Sequence, residues 1–129
     1  MPLHDHLILI VDDNLDAREM YGMYLAHEGF RFAEAENGAE AIAQTHRERP
    51  SLILMDATMP GMDGWTAAKA LKDDPATREI PLIMLTAHAF QEHRDRAIDA
   101  GADGFLAKPV LPDQLAAEIR RVLNLAPSS

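Results

Sequence analysis

The sequence predicts one α/β domain built on a doubly wound, five-stranded parallel sheet. Apolar runs at residues 7–11, 30–35, 52–56, 82–86 and 104–107 recur at intervals of about 20 to 30 residues, the rhythm of parallel βαβ units. Helical patterns fill the gaps between them. The chain of 129 residues has room for a single core and no second domain.

Leu7-Ile8-Leu9-Ile10-Val11 is a β-branched apolar run that ends in Asp12-Asp13, as a strand buried on both faces should read before a polar exit. Over residues 14–28, Ala17, Met20, Tyr21, Tyr24 and Leu25 recur at helical spacing, and Gly29 supplies the stop. Residues 30–35 form a weaker strand whose charges at Arg31 and Glu34 suit a sheet edge. Asn37-Gly38 then turns the chain into a helix over residues 39–48, and Pro50 resets it.

Leu52-Ile53-Leu54-Met55 is the central buried strand, with Asp56 at its exit and a Pro, Gly and Asp-Gly behind it. A helix over residues 65–72 puts Trp65, Ala68 and Leu71 on one face, Trp65 as core packing, and Asp73-Asp74-Pro75 breaks it. Pro81 introduces Leu82-Ile83-Met84-Leu85, which ends in Thr86. A helix over residues 90–100 is expected to face Phe90, Ala97 and Ile98 inward and Gln91, Glu92, Asp95, Arg96 and Asp99 outward, closed by Gly101. Gly104-Phe105-Leu106-Ala107 is the last strand, followed by Lys108-Pro109. Pro112 opens a helix with Leu115, Ile119, Val122 and Leu123 inward. Residues 5–125 form the domain, and 126–129 read as tail.

Composition excludes several classes of function. A formal net charge of −9, with no compensating Lys/Arg cluster, opposes direct binding to nucleic acid. With no cysteine, neither disulfides nor thiolate metal sites are available, which suits a reducing cytoplasm. The first residues lead into an apolar run too short for a signal peptide or membrane span.

In an open α/β sheet ligands bind beyond the carboxyl ends of the strands, and Asp12, Asp13, Asp56, Thr86 and Lys108 all fall there. A strand-end Asp by itself can be a plain turn-former, but three carboxylates together repel unless a cation neutralises them. Mg²⁺ suits an all-oxygen donor set, with the Thr58 backbone carbonyl available to complete it. With a metal, the Lys108 cation and the Thr86 hydroxyl around it, Asp56 has the surroundings of an oxygen nucleophile in phosphoryl transfer.

Asp12-Asp13, Asp56 with Met59-Pro60-Gly61-Met62-Asp63-Gly64, Thr86-Ala87 and Lys108-Pro109 stand in an order and spacing that resembles the receiver domain of two-component response regulators. The resemblance runs over nearly the whole chain. It implies a CheY-like, flavodoxin-like strand order of 2-1-3-4-5 and a cis peptide at Lys108-Pro109. It further implies a Mg²⁺ site at Asp12, Asp13, Asp56 and Thr58, with Asp13 the direct ligand and Asp12 acting partly through water. Asp56 becomes the phosphorylated residue, a 4-aspartylphosphate, and Lys108 contacts the phosphoryl group. Thr86 and Phe105 match the switch positions of the family, although Phe105 lacks the hydroxyl of the tyrosine common there and also reads as a core phenylalanine. The stretches 86–90 and 100–102 are further similar to single-domain regulators of bacterial cell-cycle and polarity control.

The implied function is that of a cytoplasmic phosphoacceptor in a phosphorelay. It would be phosphorylated by a histidine kinase or histidine phosphotransfer protein and act on a downstream protein target, without nucleic-acid or membrane contact. It is not an enzyme beyond catalysing its own phosphorylation and dephosphorylation. The expected form is a stand-alone or excised receiver, with a contact surface on the last two helices and last strand and partner specificity in the row Gln91, Glu92, Asp95 and Arg96. A haloacid-dehalogenase-like Mg²⁺ phosphatase is the alternative, but that class wants an acid two residues after its nucleophile, where this chain has Thr58. An interaction module with a merely inherited acidic site is a third reading, opposed by the presence of all five site residues. His4, His6, His27, His46, His88 and His93 show no repeated ligand spacing.

Overall fold

The computed structural model describes residues 5–59, 61–87, 95–96 and 98–125. Five strands, β1 (Leu7–Val11), β2 (Arg31–Ala35), β3 (Leu52–Asp56), β4 (Leu82–Thr86) and β5 (Gly104–Ala107), form one sheet of order β2-β1-β3-β4-β5. All four pairings are parallel, so the predicted order 2-1-3-4-5 is the observed one. The helices are α1 (Leu15–Glu28), α2 (Gly38–Glu48), α3 (Gly64–Asp73) and α4 (Pro112–Val122). Between β4 and β5, Asp95, Arg96, Ile98 and Asp99 are also helical. Residues 88–94 and 97, with the predicted positions Phe90, Gln91, Glu92 and Ala97, lie outside the described residues.

Alternation along the strands divides the core in two. Leu9, Val11, Ile53, Met55, Leu82 and Met84 face α2 and α3, meeting Ala41, Trp65, Ala67, Ala68 and Leu71. Ile8, Ile10, Leu52, Leu54, Ile83 and Leu85 face α1 and α4, meeting Tyr21, Leu25, Leu115 and Ile119. Central strands β3 and β4 are buried at every position, which is why they read as unbroken apolar runs. Edge strand β2 is mostly exposed.

Local chemistry fixes the helix ends. Asn14, Asn37 and Asp63 cap α1, α2 and α3, each side chain accepting from a main-chain N–H three residues on. Gly29 closes α1 at φ 95°, a left-handed conformation that glycine adopts without strain. The Lys108-Pro109 peptide is cis, as the sequence resemblance implies.

Two helix faces differ from expectation. In α1 the buried residues are Arg18, Tyr21, Gly22 and Leu25, an i, i+3, i+4, i+7 stripe, whereas Met20 is 37% exposed. Gly22 leaves room for the Phe32 ring, which would lie 2.7 Å from a Cβ there, so the stripe rotates toward β2. Ile98, expected inward, is 69% exposed. It lies one turn beyond exposed Asp95 on the same helical row, while Ala100, 200° further round, enters the core.

One close approach ties α3 to the end of the central strand. A Cβ at Gly64 would lie 2.0 Å from the Asp56 carbonyl oxygen and 2.9 Å from the Ala57 Cα, and backbone cannot yield as a side chain can. Gly64→Ala should therefore lower unfolding free energy by about 2–3 kcal/mol, read as the shift of the urea midpoint at unchanged slope. A native midpoint would mean that α3 does not sit against Asp56 as described.

Candidate functional site

Strand register and alternation assemble the site. β1, β3 and β5 each end on the α1/α4 side with a polar residue in phase with the core positions before it: Asp12 after Ile8 and Ile10, Asp56 after Leu52 and Leu54, Lys108 after Leu106. Lys108 Nζ stands 3.0 Å from Asp56 Oδ1 and 3.4 Å from Asp12 Oδ2. Carboxylate oxygens of Asp12, Asp13 and Asp56 lie within 4.8 Å of one another. Asp12 and Asp56 are 2% and 5% exposed, while Asp13 is open to solvent.

Main-chain bonds set these positions. The Asp12 N–H donates to Ala35 O at 3.1 Å, and Asp12 Oδ1 accepts from the Asn14 N–H at 2.9 Å. A main-chain bond from Thr58 also supports the Asp56 carboxylate. Thr86 ends the neighbouring strand and is buried. Thr86 pairs with Ala107 and Met84 with Phe105, so Thr86 and half-buried Phe105 share the α2/α3 face of the sheet. The Phe105 N–H is fastened to Glu118 of α4 at 3.2 Å.

Burial pushes the Asp56 carboxyl above its ordinary value. The hydrogen bond with Lys108 opposes that rise, and the Asp12 charge adds to it. For Lys108, burial pulls the ammonium down, but the hydrogen bond to Asp56 and the charges of Asp56 and Asp12 reverse it and leave the group above its ordinary value. The lysine is therefore held protonated, and burial lifts Tyr21 beside it as well. Three carboxylates against one ammonium leave the cluster negative. An all-oxygen donor set with two buried members and one open edge fits a hard divalent cation that keeps part of its water.

The structure thus brings together Asp12, Asp13, Asp56 and Lys108, with Thr86 on the adjoining strand end and exposed Thr58 two residues past Asp56. Of the row expected to give partner specificity, Asp95 and Arg96 are exposed. The Arg96 guanidinium lies over the Trp65 ring at 5.0 Å and 4.0 Å from Asp63. Sequence reading missed Arg18, which is buried and donates from Nη1 to Asp12 O at 2.8 Å and from Nε to Glu34 Oε1 at 3.1 Å. Its signal was available: Arg18 stands three residues before Tyr21 and seven before Leu25, a charge on the apolar stripe.

A family model described as the response regulator receiver domain matches residues 8–120. The phosphate regulon transcriptional regulatory protein PhoB of Escherichia coli (strain K12) is 40% identical over 117 residues, 91% of this chain and 51% of that protein. The response regulator PleD of Caulobacter vibrioides is 39% identical over 113 residues, 88% of this chain and 25% of that protein. The chain thus spans about half the length of the first and a quarter of the second. Among solved structures, the Vibrio cholerae chemotaxis protein CheY4 superposes with a TM-score of 0.86 at 32% identity, covering 91% of this chain and 98% of that one. The signal receiver domain of a signal transduction histidine kinase from Syntrophus aciditrophicus gives 0.85 at 35% identity, covering 92% and 90%.

The raised Asp56 carboxyl has a stability consequence in metal-free protein. A folded state that binds this proton more tightly than the unfolded chain loses stability as pH rises from 3.8, the ordinary value, through the raised one. In EDTA near neutral pH, Asp56→Asn should melt above the native chain, and the gap should close as pH falls toward that ordinary value. Equal melting temperatures across the range would contradict the burial of an ionised Asp56.

Proposed function

The chain belongs to the response regulator receiver domain family, and from that membership we propose that Asp56 is the phosphoacceptor, taking a phosphoryl group from a phosphohistidine on a histidine kinase or histidine phosphotransfer protein. The carrying observation is the buried Asp56 carboxylate at the end of the central strand, 3.0 Å from Lys108 and grouped with Asp12 and Asp13.

Asp12, Asp13, Asp56 and the Thr58 carbonyl would hold Mg²⁺, which when bound neutralises charge on the phosphoryl oxygens. An Asp56 carboxylate oxygen attacks phosphorus, the phosphorus–nitrogen bond breaks, and its electron pair returns to the imidazole. Lys108, already protonated, exchanges its contact with the carboxylate for one with a phosphoryl oxygen. The phosphoryl group carries a charge of about −1.5 to −2 in place of the Asp56 charge. Thr86 responds by turning its hydroxyl toward that group, and Phe105, on the same face, moves into the space vacated. The changed surface around β5, α4 and the helical segment at Asp95 and Arg96 would then meet a downstream protein in the cytoplasm. The activity is confined to the domain's own phosphorylation and dephosphorylation.

Incubation with acetyl phosphate and Mg²⁺ should give one phosphoryl adduct by intact mass, mapped to Asp56 after borohydride trapping and absent from Asp56→Asn. An adduct persisting in that variant, or found on Ser or Thr, would overturn the assignment. Mg²⁺ at a hundred times its Kd should stabilise the native chain by about 2.7 kcal/mol. In thermal melts, Asp13→Ala should lose most of that gain and EDTA should remove it.

A further inference from the structure

Arg18 is a buried cation on α1 with no part in the phosphoryl chemistry above. We propose that Arg18 is a positioning residue that fixes the Asp12-Asp13-Asn14 turn, so that Asp13 is already in place for a divalent cation. The inference rests on the metal role given to the acid pair.

The Arg18 side chain holds the residue before Asp13, and the opening main-chain bond of α1 holds the residue after it. Arg18 donates from Nη1 to Asp12 O at 2.8 Å, and its main-chain N–H donates to Asn14 O at 3.1 Å. The Asn14 N–H closes the turn onto Asp12 Oδ1 at 2.9 Å, and Asn14 Oδ1 accepts from the Ala17 N–H at 2.9 Å. Asp13 itself projects into solvent, so its carboxylate is only as well placed as the two residues flanking it.

Glu34 makes the arrangement compatible with cation binding. Its Oε1 accepts from Arg18 Nε at 3.1 Å, anchoring the guanidinium to β2 and balancing its charge, so that the arginine is not set against an incoming cation. The arginine spreads these two bonds over a rigid planar fork, Nε to the carboxylate and Nη1 to the carbonyl, whereas lysine would have to direct both from one compact ammonium at the end of a flexible stem. A buried guanidinium costs desolvation that only well-made bonds offset, and here one of those bonds ties the turn that carries the acid pair to the other's anchor on β2. Without them, part of the cation's binding free energy would go into ordering the turn.

Calorimetric titration with Mg²⁺ alone tests this in the native chain, Arg18→Met, Arg18→Lys and Asp13→Ala, each checked for native far-UV circular dichroism well below its melting temperature. Arg18→Met should bind Mg²⁺ about tenfold more weakly, the lower end for partners that orient metal ligands, with Arg18→Lys between it and the native chain. The Asp13 and Asn14 amide signals of metal-free Arg18→Met should broaden or shift. A purely structural arginine would lower the melting temperature and leave the Kd unchanged. Native affinity in Arg18→Met, or in Arg18→Lys should the methionine variant not fold, overturns the proposal. Equal Mg²⁺ binding by the native chain and Asp13→Ala would instead remove the acid pair from metal binding, and the proposal with it.

Discussion

Asp12 and Asp56 are nearly stripped of water and share a single ammonium, Lys108, at 3.4 and 3.0 Å, with the Asp13 carboxylate alongside. In the low dielectric of a strand end this repulsion is strong, and one lysine does not cancel it. Burial first, with the Asp12 charge adding to it, leaves the Asp56 carboxyl above its ordinary value even with Lys108 bonded to it. The rest of the domain holds this unfavourable grouping together. A divalent cation held by the three carboxylates would relieve that charge imbalance.

Stability for that purpose comes from elsewhere. Two apolar layers, one on each face of a sheet whose central strands are wholly buried, supply the favourable burial. Parallel pairing in fixed register then delivers β1, β3 and β5 to one end with their terminal polar residues in phase. A register slip of one residue would turn Asp56 to the opposite face. The contact of Gly64 with the Asp56 carbonyl and the Arg18 fork under Asp12 are local clamps on the same end. Such an arrangement gives up stability at the site for function, as proteins commonly do.

Much of this was legible before any coordinates. Unbroken apolar runs that stop at Asp12, Asp56 and Thr86 mark strand exits, and parallel connectivity brings all exits to one end. What the sequence did not disclose depends on rotation and register. Counting apolar residues alone gives an α1 stripe of Ala17, Met20, Tyr21, Tyr24 and Leu25, of which Tyr21 and Leu25 are buried, Ala17 and Tyr24 pack against the core and Met20 is exposed. The actual stripe takes in Arg18 and Gly22, one charged and one without a side chain, which no count of apolar residues weights correctly. Ile98 failed for a related reason, since hydrophobicity alone does not say which row of a helix meets the sheet. That Thr86 and Phe105 share a face follows only from the pairing of β4 with β5.

Stepwise amide chemical-shift mapping bears most directly on the claim that cation and phosphoryl group meet in one site built from three strand ends. Mg²⁺ added first should move residues 12–14 and 56–58. Beryllofluoride, a phosphoryl mimic, added next should move Lys108, Thr86 and Phe105, and should do so neither without Mg²⁺ nor in Asp56→Asn. Shifts confined to the acidic surface away from Asp56, or beryllofluoride shifts that survive in Asp56→Asn, would contradict it.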